Sequence, residues 1–378
     1  MDVPAAKIHF PPEDRQKLLV QIDGILESGQ LTLGKYTQEL EQKFAARVGT
    51  KYAIAVNSGT SALEIILRAL DIQGSSVVVP TNTFFASPAS VLHAGGKVIF
   101  ADATSNLCID PESVLQGLRS DVKAVMVVHI AGLVPPQMAQ LQQVCLERGL
   151  DLIEDAAHAH GSTLDGQTAG HLGRAAAFSF YPTKVMTSAE GGIITTDDET
   201  VYKRALVFRD QGKAGFFNNL HTELGYNWRM SEVHAAIGLA QLARLDEFIA
   251  ARRRVAAIFD KELSGYEWVR PVKMPPGARS NYYKYVAVLD PRLDRVTVKK
   301  ELKEKFKVSL SGEVYELPCH AQPIFKDLVG SREGEFPIAE DLCRRHICLP
   351  VFATMTDEQA HYVVDCLRKV VAATQTKR

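Results

Sequence analysis

The chain has 378 residues, 46% of them hydrophobic and 23% charged, which excludes disorder and a collagen-like fibre and leaves room for two domains or one large α/β domain with an appendage. With 43 basic against 44 acidic side chains the formal charge is −1, so no global field draws in a polyanion, and a nucleic-acid partner is not expected. The six cysteines (Cys108, Cys145, Cys319, Cys343, Cys348 and Cys366) form no C-x-x-C pair and read as free thiols in a reducing compartment; no metal site is expected.

The opening MDVPAAKIHFPPEDRQ lacks the basic start and apolar run of a secretory signal. The most apolar stretch, 124–136, is broken by His129 and ended by two prolines, far short of the roughly 20 residues that span a bilayer. A cytoplasmic protein without a membrane partner is the expectation.

From there the chain alternates. Near-continuous apolar runs predict strands over 53–56, 76–80, 97–101, 122–128, 150–154, 177–180 and 192–196, the pattern of strands buried on both faces of a parallel sheet. Helical patterns lie between them at 60–70, 87–94, 111–118 and 136–148, which together predict a doubly wound α/β domain. Residues 230–263 read as one long helix with Ile237, Leu242, Leu245, Phe248 and Ile249 at helical spacing. Beyond it, a loop at 271–277, an aromatic and β-branched strand at 280–289 and helices at 297–306 and 356–372 predict a smaller α+β unit. The division is placed at 1–245, with an N-terminal helix in the large domain, and 246–378.

Three stretches carry chemistry. Asn57-Ser58-Gly59-Thr60-Ser61 stands where a strand turns into a helix, so free N–H groups, hydroxyls and a glycine suit an anion such as phosphate; an ordinary capped helix start reads the same way. In Leu152-Ile153-Glu154-Asp155-Ala156-Ala157-His158 the acids close a predicted central strand, at the sheet edge where ligands bind. Asp155 suits a cationic ring nitrogen and His158 the same ligand; a helix cap at Asp155, or a metal at His158 and His160, are the alternatives. Lys184, in Phe178-Ser179-Phe180-Tyr181-Pro182-Thr183-Lys184, is a Schiff-base candidate or a plain surface charge. Phe84 is a ring-stacking candidate or a core residue. Combined, an anion cradle, a carboxylate and a lysine at strand and helix ends are the parts pyridoxal phosphate requires, with Ser58 to Ser61 and Ser179 at its phosphate, Asp155 at its nitrogen and Lys184 at its aldehyde.

The runs NSGTSAL, PTNTFFAS, EDAAHAHG, FSFYPTK with AEGG, and GYNWRMSEVHAAIGLAQL, followed by VYELPCH and FPIAEDLCRRHICLP, resemble in order and spacing the DegT/DnrJ/StrS-type sugar aminotransferases over nearly the whole chain. The resemblance implies fold type I: a large domain around a mostly parallel seven-stranded sheet flanked by helices, a smaller C-terminal domain, and a homodimer with shared active sites. It implies Lys184 as the lysine that holds the cofactor, Asp155 at the pyridine nitrogen, His158 beside the ring hydroxyl, and Ser58, Gly59, Thr60 and Ser179 at the phosphate. Phe84 matches the stacking aromatic, and Asn227 matches an asparagine reaching the phosphate from the partner subunit. Tyr315 and His320 fall where substrate is often contacted, and Arg229 assists there or is structural.

Two departures bear on the substrate pocket: the family often has an aromatic after the histidine of His129-Ile130-Ala131-Gly132, and a histidine where Gln211-Gly212 stands. The implied reaction moves an amino group, from glutamate or another donor, to a keto-sugar carried on a nucleotide, by ping-pong chemistry. A non-nucleotide keto-sugar, a keto-acid sugar or a cyclitol ketone is the alternative acceptor. An inactive regulatory or scaffold homologue is the alternative of another class. Relatives that dehydrate deoxysugars place histidine at the lysine position, which Lys184 argues against.

Overall fold

The structure, a computed structural model, describes residues 1–215, 219–330 and 333–375. Its centre is a seven-stranded sheet built from β1 (Tyr52–Val56), β2 (Ser76–Pro80), β3 (Lys97–Ala101), β4 (Val122–Val128), β5 (Asp151–Asp155), β6 (Ala175–Ser179) and β7 (Gly192–Thr196), in the order β1-β7-β6-β5-β4-β2-β3. Neighbours pair in parallel except that β7 runs antiparallel to both β1 and β6. Alternate residues of each strand enter two apolar clusters: Ala53, Val125, Val127 and Phe178 on one side, Ile54, Ala124, Met126 and Ala177 on the other. Burial of both faces is why the strands are apolar without alternation.

The connections are helices with local reasons to start. Ser58 accepts from the Ser61 N–H, Asp198 from Thr200 and Val201, and Ser231 from His234, each satisfying donors that a first turn leaves free. A third apolar cluster, with Val255, Phe259, Tyr285, Leu289, Ile347, Val363 and Leu367, lies apart from the sheet and takes in Val3 from the start of the chain. It surrounds an antiparallel sheet of β8 (Val269–Pro271), β9 (Tyr285–Leu289) and β10 (His346–Leu349), with β9 central.

Three expectations shift. The single helix over 230–263 is two, Glu232–Ala243 and Leu245–Glu262, broken at Arg244 (φ −100°, ψ −1°). The second helix opens with Asp246 and Glu247, acids suited to a first turn, and Arg244 is tied back to Glu13 and Asp14. The strand at 280–289 begins only at Tyr285, because Ser280 Oγ and Asn281 Oδ1 accept the N–H groups of Tyr282 and Tyr283 and Tyr282 turns to φ 49°. The strands expected over 150–154 and 177–180 are displaced to Asp151–Asp155 and Ala175–Ser179, so that Asp155 and Ser179 are last residues of their strands.

Among the described residues, no helix is long and apolar enough to cross a membrane, and no group of three His, Cys, Asp or Glu is placed to hold a metal ion. All six cysteines are buried and free.

Candidate active site

Because five strands run parallel from β3 to β6, their C-terminal ends share one edge of the sheet, and β1 ends beside the start of β7 with Val56 opposite Gly192. A cavity of about 340 Å³ opens at this edge. Of the residues singled out from sequence, Ser58, Gly59, Thr60, Phe84, Asp155, His158, Ser179, Lys184 and Tyr315 all line it.

The first wall is the turn from β1 into the helix Gly59–Ala69. Ser61 Oγ lies 2.7 Å from Ser58 Oγ and donates to Asn57 Oδ1 at 2.6 Å, and this network fixes the turn while leaving the first N–H groups of the helix for a ligand. A Cβ on Gly59 would lie 2.8 Å from Ser179 Cβ, and one on Gly192 only 2.4 Å from the Ser58 carbonyl carbon. Glycine therefore lets this helix start press against the ends of β6 and β7, so that hydroxyls from Ser58, Thr60 and Ser179 surround one small space. Helix dipole, N–H groups and hydroxyls there suit an anion.

The floor is Asp155, buried at the end of β5, whose Oδ2 accepts from Ser87 Oγ at 2.6 Å and Oδ1 from the Ala157 N–H at 3.2 Å. His158 Nδ1 accepts from the Ala131 N–H at 3.3 Å, and its ring stacks on Tyr283 at 4.3 Å. Burial, with Lys184 and Lys284 adding to it, holds the His158 pKa well below the ordinary imidazole value, so this ring is neutral. Phe84 is 60% exposed, which removes the core-packing alternative and leaves an aromatic face over the cavity.

Lys184 reaches in from the loop after β6. Its Nζ makes no hydrogen bond among the described residues and stands 4.8 Å from the Tyr283 ring centroid. Burial pushes its pKa down to about 8; Asp155 opposes the shift and Lys284 adds to it. A lysine poised near neutrality in a cleft is a nucleophile or a base rather than a surface charge.

The remaining sequence candidates lie off the cavity. Ser61 braces the turn. Asn227 is exposed on a segment paired with Asp210, and its carbonyl accepts from Asn57 Nδ2 at 3.3 Å. Arg229 is ion-paired to Asp210. His320 is buried, with Nδ1 2.6 Å from Thr81 Oγ1 and Nε2 3.2 Å from Glu340, both nitrogens thus engaged.

Sequence reasoning missed Tyr283, Lys284 and Glu313, which form the wall beyond Lys184 together with Tyr315. The signal for the first two was the Ser280-Asn281 pair, whose side chains turn the backbone before the strand. Asn281 Nδ2 then donates to the carbonyls of His158 and His160, docking this segment on the site, and Tyr283 Oη lies 3.1 Å from Thr183 Oγ1.

The donor set can be tested against pyridoxal 5′-phosphate. A glycine-dependent anion cradle, a buried carboxylate for a protonated ring nitrogen, an exposed aromatic and an amine without a hydrogen-bond partner among the described residues line one cavity in the range of small-ligand sites. The residues fit that cofactor.

A family model for the DegT/DnrJ/EryC1/StrS aminotransferase family matches residues 12–368. GDP-perosamine synthase of Escherichia coli O157:H7 is 34% identical over 343 residues, 89% of this chain and 90% of that protein. UDP-N-acetyl-3-dehydro-α-D-glucosamine 3-aminotransferase of Acidithiobacillus ferrooxidans is 29% identical over 374 residues, 97% of this chain and 96% of that protein. Among solved structures, DesV of S. venezuelae superposes with a TM-score of 0.90 at 29% identity, covering 97% of this chain and 98% of that one.

Proposed function

We propose that this chain, which belongs to the DegT/DnrJ/EryC1/StrS aminotransferase family, transfers the amino group of glutamate to the keto group of a nucleotide-linked keto-deoxysugar, in two half-reactions that both use Lys184. It is a pyridoxal 5′-phosphate-dependent enzyme of fold type I, a sugar aminotransferase like its relatives. The observation that carries the finer reading is Lys184: an amine brought close to neutrality, in one cavity with Asp155 and the Ser58 to Thr60 turn. Relatives named for GDP-linked and UDP-linked sugars support a nucleotide on the acceptor.

When bound, the cofactor supplies an aldehyde for amines and a ring that accepts the electron pair left when a C–H bond breaks. The protein's residues do the rest. Ser58, Gly59, Thr60 and Ser179 hold the phosphate, and Ser61 keeps that turn in shape. Asp155, fixed by Ser87, keeps the ring nitrogen protonated. Phe84 covers a ring face, and neutral His158, whose Nδ1 is engaged by the Ala131 N–H, donates from Nε2 at the ring hydroxyl. Lys184 Nζ anchors the cofactor; once released it takes the proton from the donor's α-carbon, and in the second half returns one to the acceptor carbon that receives nitrogen. Tyr315 lines the substrate end, while His320 steadies the segment after Tyr315 through Thr81.

The working unit of this reading is a homodimer in which Asn227 reaches the partner's phosphate site, in keeping with its exposure here. A large domain of 1–245 and a small one of 246–378 belong to the same reading, supported by the helix break at Arg244 and the separate apolar cluster. Six free thiols support the cytoplasm as its compartment.

The test is direct. Purified protein is expected to be yellow, and borohydride to fix the cofactor to the peptide that contains Lys184. Glutamate is then supplied with keto-sugars, with and without nucleotide, and release of 2-oxoglutarate is followed. A Lys184→Ala variant that still turns over would sink the assigned role, and turnover on free keto-sugars or a cyclitol ketone alone would replace the acceptor.

A further inference from the structure

We infer that Lys284 is the counter-ion for the α-carboxylate of the amino donor, and so the residue that selects an amino acid over an uncharged analogue; this rests on the transamination proposed above. An amino-acid donor carries a carboxylate on the very carbon whose proton Lys184 is to remove. A site that uses such a donor needs a cation near that lysine, since a carboxylate taken out of water without a partner is costly.

Among the described residues that line the cavity, the lysines are Lys184 and Lys284, no arginine is present, and His158 is neutral. Lys184 works only when uncharged and cannot serve. Lys284 Nζ stands 5.6 Å from the centroid of Tyr283, the same ring that Lys184 Nζ approaches to 4.8 Å. Of its three N–H donors, one goes to the Gly312 carbonyl at 2.9 Å. No carboxylate lies within ion-pair distance of Lys284 among the described residues. Glu313, on the same wall, is taken by Lys299 at 2.5 Å with Arg295 at 3.7 Å. Lys284 is therefore a half-buried ammonium with spare donors, facing the cavity and lacking a counter-ion. Its backbone is held on both sides: its own N–H donates to the Ala131 carbonyl at 3.3 Å, and Asn281 and Tyr283 tie the preceding residues to the cofactor wall. A carboxylate bound there needs no loop to order first.

The experiment mixes cofactor-loaded protein with L-glutamate or with its α-amide, L-isoglutamine, and follows the cofactor's absorbance through a single half-reaction. The wild type is expected to prefer glutamate by roughly 30–100-fold, the scale of a desolvated charge pair. In Lys284→Met that preference is expected to collapse to within about 3-fold, through a weaker half-saturation with glutamate. Lys284→Arg is expected to restore most of it, and Lys284→Gln repeats the comparison should the methionine variant load cofactor poorly. Because each result is a ratio on one protein, a change in Lys184 basicity cancels. A Lys284→Met protein that keeps the wild-type preference overturns the assignment, as does a wild type that uses both compounds equally. If no α-amino acid changes the wild-type spectrum, it is the transamination itself that fails.

Discussion

Lys184 and Lys284 point their ammonium groups at one ring, 4.8 and 5.6 Å from the centroid of Tyr283. Like charges in a shielded space repel each other, and burial, with this repulsion added, brings Lys184 to about 8 while Asp155 pulls the other way. The signs of three perturbations follow. In cofactor-free protein, the rate at which Lys184 captures pyridoxal phosphate is expected to rise with pH and level off above a midpoint near 8. Lys284→Gln removes a like charge and moves that midpoint up; Asp155→Asn removes an attraction and moves it down. Stopped-flow absorbance across pH 6 to 10 measures all three, and a wild-type midpoint at the value of a solvated lysine would contradict the geometry.

Gly59 offers a second prediction, since a methyl group there would meet Ser179 Cβ at 2.8 Å. Neither partner is a flexible chain end: one is the first turn of a helix and the other the last residue of a central strand. Gly59→Ala must spread the cradle, and the affinity for pyridoxal phosphate is expected to fall roughly 10-fold or more. Pyridoxal without its phosphate is expected to bind both proteins alike. Absorbance titrations of the cofactor-free proteins separate the two cases.

What could be read from the chain was what local sequence decides. Most strands of the large sheet are mainly apolar over their own length, and Ser58, Asp155 and Ser179 sit at or just past strand ends, so their convergence follows from strands running parallel. Tyr283, Lys284 and Glu313 lie more than 90 residues beyond Lys184 in the sequence; Asn281, docked on the carbonyls of His158 and His160, brings the first two to the cavity, and the Gly312 carbonyl, which accepts from Lys284 Nζ at 2.9 Å, sets Glu313 beside them. Propensity rated the same aromatics as strand. The Arg244 break was hidden for a similar reason, because apolar spacing continues through it from Ile237 to Ile249. His320 stands near the expected segment but turns to Thr81 and Glu340, a choice made by packing with Phe336 at 4.8 Å.

Glu154 and Asp155 are adjacent acids that a strand sends to opposite faces. Glu154, fully buried, accepts the N–H groups of Gly170 at 2.7 Å, Leu172 at 2.6 Å and Gly173 at 2.7 Å, and faces His129 Nε2 at 2.7 Å. Burial alone would raise its pKa, but the His129 hydrogen bond and charge, with those backbone donors, outweigh it and hold the carboxyl below its ordinary 4.5. A depressed carboxyl contributes stability above its unfolded value and loses it as pH falls through the folded one. Glu154→Gln is thus expected to cost about 3 kcal/mol at neutral pH, because the amide must put donors against donors. It is also expected to lack the stability that the wild type loses below about pH 4.5. Urea midpoints for both proteins between pH 3 and 7 give the two curves, and parallel curves would refute the account.

Glu232 serves two helices with one carboxylate. It lies in the first turn of its own helix, behind the Ser231 cap, and accepts the N–H groups of Gly34 at 2.9 Å, Tyr36 at 2.8 Å and Thr37 at 3.0 Å, together with the Thr37 hydroxyl. The helix Lys35–Val48 has glycine at its N-cap and no acid in its first turn, so Glu232 supplies both the missing acceptors and the negative charge its dipole favours. A Cβ on Gly34 would come within 2.7 Å of the carboxylate, so the fit requires glycine as the cap. Glu232→Ala leaves three backbone N–H groups and the Thr37 hydroxyl without their acceptor and is expected to lower stability by about 3 kcal/mol, with a smaller loss for Glu232→Gln, which keeps one acceptor oxygen but not the charge. The effect should be local before it is global: hydrogen exchange at the amides of Tyr36 and Thr37 is expected to speed up in Glu232→Ala at temperatures where the β4 and β5 amides stay protected. Equal acceleration in the sheet and in the helix would show that Glu232 acts on the whole fold rather than as the cap of its neighbour.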